Sequence, residues 1–236
     1  QRFATVFLRA YESSLFWIMI LALIIGAPSI AADNRTNALQ VYLSKPVTKL
    51  DYLLGKWASV FVVVMVAMLV PSLLLFLYCL LSFWSSGFLR HEPLLILRII
   101  GAAAITAGGF ASLFVGISAW CRSTMVAGAV GAGVYLATQA IASVLWGVLY
   151  FRSWQAGHLA SGTLVQHCSV GGVMTGLVWN LYGVVLRVPI RHNPAQGFIE
   201  VYAPDVGVML AAYTGLVTIG AIAAYVRVRA VEVVTS

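Results

Sequence analysis

Four runs of this chain are long enough and apolar enough to cross a lipid bilayer, and that constrains the fold more than anything else in it. A spanning helix needs about 20 largely apolar residues, and residues 54–81, 94–120, 125–150 and 206–226 each meet that length. A fifth run, 15–32, is slightly short but carries no charge. Inside lipid no water serves the backbone, so a crossing segment must be helical or belong to a closed barrel. These runs far exceed a barrel strand of about 9–11 residues. The expected fold is therefore all-α: one polytopic transmembrane helical bundle over residues 1–236, with five spans. Composition agrees, since the chain is 61% hydrophobic and only 9% charged, against about 45–50% and 25% in soluble domains.

No run looks like a cleaved signal peptide, because the first lacks a basic start and a small-residue cleavage site. The chain opens on Gln1, and a further span before it is expected, making six in all. Orientation follows from Lys and Arg in the connections. One side gathers Arg35, Lys45, Lys49, Lys56, Arg122, Arg227 and Arg229 in short segments. The other spreads Arg2, Arg9, Arg90, Arg152, Arg187 and Arg191 over residues 1–14, 82–93 and 151–205. The denser first side is the expected cytoplasmic face. The net charge of +7 is scattered over these connections, which suits topology and lipid headgroups and not nucleic acid. Cys79, Cys121 and Cys168 form no CxxC pair or metal spacing and read as small hydrophobes.

Within 151–205 the stretch 163–188 is half apolar but interrupted by Gln166, His167, Asn180 and paired glycines. It reads as a re-entrant or interfacial helical hairpin on the outer side. Irregular backbone at that depth requires cover by protein. Ala104, Gly108, Ser112 and Gly116 recur at every fourth position, and Gly128 and Ala132 begin a similar stripe on the next run. Such stripes let helix backbones approach closely in lipid. Pro71 lies mid-span and is expected to kink its helix.

The polar stretch DNRTNALQVYLSKPVTKLDYLLGKW, residues 33–57, keeps a helical rhythm between two spans. Asp33 or Asn34 is placed to cap a helix start, after which Ala38, Leu39, Tyr42 and Leu43 share a face. Pro46 stops that helix. Thr48 with Asp51 then forms a capping box, Asp standing for the usual Glu, and Leu50, Leu53, Leu54 and Trp57 give the apolar face of the helix that follows. Two short helices set around a proline suit either an anchor on anionic lipid or a docking ridge for a cytoplasmic partner.

This stretch resembles the signature of ABC-2 type permeases, the membrane subunits of ABC exporters. Asp33, Ala38–Leu39, Leu43–Ser44, Pro46–Val47–Thr48 and Gly55–Lys56 match, with Lys49 in the place of Arg; the order of spans and the long outer segment agree as well. Gln40 stands where the family usually has Glu, and Asn37 where Gly is common. The resemblance implies a coupling elbow at 33–53 that seats in a separate ATP-binding cassette subunit. Leu39, Leu43, Pro46 and Val47 would be contacts there, within a docking set that includes Asp33, Arg35, Gln40, Ser44 and Lys49. It further implies a second permease chain, identical or not, surrounding membrane lipids, the cytoplasmic membrane of a prokaryote, and a cytoplasmic C-terminus. No cofactor is expected on this chain: there is no GxxxxGK[ST], and Gly55–Lys56 is followed by Trp57, so ATP and Mg would belong to the partner. The chain itself would not be an enzyme.

Other functions lack their residues. A haem subunit needs ligands facing one another inside the bundle, whereas His91, His158, His167 and His192 fall in the outer segments. A membrane hydrolase needs a base near Ser112, Ser118 or Ser143, and no His lies on a neighbouring run. A secondary transporter needs ionisable groups mid-membrane, and the five runs hold essentially none beyond Arg98 near an end. A structural subunit of a larger membrane assembly and, despite that absence, a secondary transporter are the rival readings.

Overall fold

The computed structural model describes residues 2–36, 48–84, 88, 92–155, 163–189, 198–201 and 203–233. In chain order they form α1 (Arg2–Gly26), α2 (Pro28–Thr36), α3 (Lys49–Ser82), α4 (Leu95–Trp120), α5 (Thr124–Gln155), the single turn α6 (Thr163–Gln166), α7 (Val170–Tyr182), a two-stranded antiparallel ribbon of β1 (Leu186–Pro189) and β2 (Phe198–Val201), and α8 (Val206–Val233). Five helical stretches are long and apolar enough to cross a membrane: Phe3–Thr36, Lys49–Ser82, Leu95–Trp120, Thr124–Leu149 and Val206–Val228. The fold is thus the expected helical bundle.

α4 is its mast. It is apolar around its whole circumference, which marks a helix surrounded by others, and α1, α2, α3, α5, α7 and α8 all pack against it. Phe110, Ala111, Phe114, Ala107 and Thr106 are fully buried. The outer helices instead show large apolar side chains to their surroundings, such as Ile141 and Val144 on α5 and Ile219 and Ile222 on α8. Hydrocarbon is as apolar as those side chains, so a bilayer accepts them.

Without a hydrophobic drive, association relies on close backbone contact. At the α4–α8 crossing a Cβ on Gly116 would come 2.9 Å from the Gly220 carbonyl oxygen, and one on Gly220 would overlap the Ser112 carbonyl. Trp120 Nε1 donates to the Ala223 carbonyl at 3.0 Å and Tyr213 Oη to that of Ile105 at 2.9 Å. Gly108 faces the Tyr213 hydroxyl. Ala104 is half-buried; on α5, Gly128 lies in ordinary contact with Ala27, and Ala132 is half-buried. α3 remains helical through Pro71.

Two features differ from the sequence reading. The sequence reading makes residues 1–14 an outer segment, but residues 2–14 belong to α1. Ala4, Phe7, Leu8, Tyr11 and Leu15 are buried at helical spacing, and this apolar face outweighs the polarity of Arg2, Arg9 and Glu12. The first span is also broken at Ala27, between α1 and Pro28. Proline lacks the N–H that would continue the helix but suits the first position of a new one.

The segment 163–188 folds as α6, α7 and the first strand. Ser169 Oγ accepts from Gly172 N at 2.8 Å to start α7, and Gly183, in the left-handed region at φ 61°, ends it. Thirteen residues make a helix of about 20 Å, short of the roughly 30 Å hydrocarbon core. Met174, Val178, Trp179 and Tyr182 are buried among its neighbours, and Asn180 Nδ2 donates to the Pro204 carbonyl at 2.8 Å just before α8. Replacing Gly220 by Val should force α4 and α8 apart and lower stability by about 1–3 kcal/mol. Thermal unfolding in detergent would show this, with Gly133→Ala, where a Cβ meets nothing within 4 Å, leaving the midpoint unchanged or slightly raised.

Candidate functional site: the elbow frame and an outer cavity

The break at Ala27 frees backbone groups where no water can serve them. One side chain takes up three of them. Ser118 Oγ on α4 donates to the Ala27 carbonyl at 2.7 Å and accepts from Ile30 N at 3.0 Å and Ala31 N at 2.9 Å. Further along α2, Asn34 Nδ2 donates to the carbonyls of Ala119 at 3.0 Å and Cys121 at 3.1 Å, acceptors left open by the end of α4. The short helix that leads into the elbow is thus fastened to the mast at both ends. Asp33 and Asn34, read as caps of a helix start, instead lie inside α2; Asn34 serves the C-terminus of α4.

The far end of the elbow is fastened as firmly. Thr48 and Asp51 form the expected capping box: Thr48 Oγ1 accepts from Asp51 N at 3.2 Å, and Asp51 Oδ2 accepts from Thr48 N at 3.2 Å and Thr48 Oγ1 at 2.6 Å. Asp33 then joins the two ends. Its Oδ2 accepts from Tyr52 Oη at 2.7 Å and lies 2.7 Å from Lys56 Nζ, while Lys56 also stands over the Tyr52 ring at 5.5 Å. Both partners of the ion pair are largely covered, so the charge-assisted bonds are shielded from water. One turn on, Trp57 Nε1 donates to Ser112 Oγ at 2.9 Å, tying α3 to α4, and its ring stacks on Phe61 at 4.9 Å.

Of the expected docking residues, Leu39, Gln40, Leu43, Ser44, Pro46 and Val47 lie outside the described residues. Arg35 is exposed in the last turn of α2, and Lys49 is half-buried at the start of α3. The Asp33 carboxylate turns inward to close the frame. Beside the frame, Leu50, Leu53, Leu54 and Trp57 of α3 face Gly220, Ala221, Ala224 and Tyr225 of α8 across an almost wholly apolar groove of about 410 Å³.

A second cavity, of about 330 Å³, opens between α1, α5 and α7. Its walls carry Glu12, Gln139, Gln166, His167 and Thr175 beside Leu15, Phe16, Tyr135, Leu136, Gly171, Gly172 and Trp179. Glu12 Oε1 accepts from Trp179 Nε1 at 2.6 Å and Oε2 from Arg9 at 3.0 Å. Ser169 Oγ donates to Gln139 Oε1 at 2.8 Å, and buried His167 meets Trp179 edge-on at 5.4 Å. The sequence reading placed His167 in the outer hairpin but no carboxylate beside it, because it left Glu12 outside the first span. The apolar spacing of Ala4, Tyr11 and Leu15 would have moved it in. Nothing local pairs Glu12 with Trp179, which is 167 positions away.

The described residues form a bundle of apolar helices, with five stretches long and apolar enough to cross a membrane. A sequence profile described as ABC-2 family transporter protein matches residues 10–153. That is more than half of the chain, which therefore belongs to the ABC-2 family and is an ABC transporter permease. The match runs from α1 through α5 and includes the elbow. No curated protein shows significant similarity to the chain.

Removing the Ser118 hydroxyl isolates one carbonyl and two N–H groups at once. Ser118→Ala should cost about 1–3 kcal/mol, seen as a lower unfolding midpoint in detergent. Ser143→Ala, whose hydroxyl bonds among the described residues to Gln139 O of its own helix at 2.8 Å, should leave the midpoint in place.

Proposed function

We propose that residues 33–53 form the coupling elbow through which this permease receives work from a separate ATP-binding cassette subunit. The observation that carries the reading is the frame just described. Asp33 binds Tyr52 and Lys56, and Ser118 and Asn34 hold α2 on α4. A push on a loose loop dissipates in the loop, whereas a push between two braced ends moves the helices that brace them. Leu39, Leu43, Pro46 and Val47 seat in the ATPase, with Arg35, Gln40, Ser44 and Lys49 around them. ATP and Mg are bound and turned over on that partner. Two permease chains rock together and export a hydrophobic or lipid-like substrate from the cytoplasmic membrane of a prokaryote.

Arg9 and Glu12, in the outer part of α1, do not favour a secondary transporter. They neutralise one another at 3.0 Å, and among the described residues no charged side chain continues the line from them towards Asp33 through the middle of the bundle. An ion path has nothing to step onto.

Leu43→Asp or Pro46→Asp should abolish co-purification of the ATP-binding subunit in mild detergent while the permease still folds. ATPase association at the wild-type level after either change would sink the docking reading. A C-terminal reporter should be active only in the cytoplasm, and activity outside would mean an odd number of crossings between the elbow and the C-terminus, with residues 163–188 spanning, in place of the four assigned.

A further inference from the structure

We infer that the apolar groove between α3 and α8 holds an acyl chain of an anionic phospholipid from the cytoplasmic leaflet, with the phosphate of that lipid on Arg227. Buried Ser112 and Val115 of α4 form the floor of the groove. Leu50, Leu54 and Ile222, each more than half exposed, form its rim, so it opens sideways to hydrocarbon. Ser112 sets the register of the two walls, since Trp57 bonds to its hydroxyl and Gly220 lies against its carbonyl. From that level both walls run about 10 Å to the elbow side. Seven residues from Trp57 lies Leu50, and seven from Gly220 lies Arg227. Arg227 therefore stands at the cytoplasmic end of the groove, two turns from Gly220 on the same helix face. Helical side chains lean towards the N-terminus of their helix, which carries the Arg227 side chain back along the groove.

The charge at that end is unanswered within the fold. Arg227 is half-buried, its Nε is buried without a hydrogen-bond partner, and among the described residues no carboxylate pairs with its guanidinium. Of the side chains described on this side, the carboxylate of Asp33 is taken by Tyr52 and Lys56, and that of Asp51 by Thr48. An unpaired guanidinium at the edge of hydrocarbon is costly, and its fork of donors matches two phosphate oxygens at once. The walls above it are almost wholly apolar, so the chain attached to that phosphate is hydrocarbon. A phospholipid of the cytoplasmic leaflet meets both demands, with its phosphate at the interface and its acyl chain along the groove.

The site rests on the membrane placement proposed above but not on ATPase docking, so the test uses the isolated permease and the two readings fail separately. The full chain in mild detergent is given equal amounts of phosphatidylglycerol and phosphatidylethanolamine with identical acyl chains, and retained lipid is counted by native mass spectrometry. The ammonium group of the second lipid offsets its phosphate, so wild type should retain phosphatidylglycerol with a preference of roughly tenfold, the worth of a charge-assisted bond. Arg227→Gln should bring the two lipids to parity. Ala221→Trp fills the groove from an exposed position and should lower retention of both lipids. Arg122→Gln, exposed in the turn after α4 and outside the groove, should keep the wild-type preference. Thermal unfolding confirms that each variant folds, and Ala221→Trp decides alone if Arg227→Gln does not. No preference in wild type, as expected if a second permease chain covers the groove, overturns the site. So does a preference that survives Arg227→Gln or is lost equally in Arg122→Gln, or retention that Ala221→Trp leaves unchanged.

Discussion

One serine hydroxyl supports the geometry on which everything else depends. A helix that breaks inside a bilayer exposes backbone groups that neither water nor lipid can satisfy. Here the break at Ala27 falls where Ser118 can supply a donor to the Ala27 carbonyl and an acceptor to two N–H groups. Because the partner is on α4, closing the break also fixes where α2 lies. From there Asn34 reaches the end of α4, and Asp33 reaches Tyr52 and Lys56 of α3. Three helices thus converge on the two ends of the elbow.

The rest of the bundle follows from placing α4 at the centre. Its small residues admit α8 to backbone contact at Gly116 and Gly220, and its hydroxyls bond outwards, Ser112 to Trp57 and Thr106 to Tyr11 at 2.9 Å. In water such a helix would be held by burial of its apolar surface. In lipid that drive is absent, and close packing with a few interhelical hydrogen bonds replaces it. The hydroxyls of Thr106, Ser112 and Ser118 on α4 therefore fasten its neighbours to it.

What could be read from the sequence was whatever is decided locally or by length. The five apolar stretches follow from bilayer thickness alone. The Thr48–Asp51 capping box involves only residues three apart and was legible for that reason. The start of α1 was missed because Arg2, Arg9 and Glu12 lower its average polarity match to a span, although its buried face keeps the helical period. The roles of Asp33 and Asn34 were misread for a different reason: their partners on α3 and α4 become neighbours only after folding. Glu12 and Trp179, 167 positions apart, meet in the wall of the outer cavity, and no periodicity announces such a pair. Leu39, Leu43, Pro46 and Val47 belong to a motif in the sequence, and their docking role is the proposal made above.

The central claim is that the braced ends pass force from the elbow to the spans. It is tested most directly by measuring ATP-driven motion in the assembled transporter. Cys79, Cys121 and Cys168 would be replaced by alanine, and a spin label attached at Trp84, which is exposed beyond the end of α3. The distance between labels on two permease chains should then change when ATP is added. With Asp33→Ala the ATP-binding subunit should still co-purify and hydrolyse ATP, but that change in distance should be lost. An undiminished change in the Asp33→Ala complex would contradict the account.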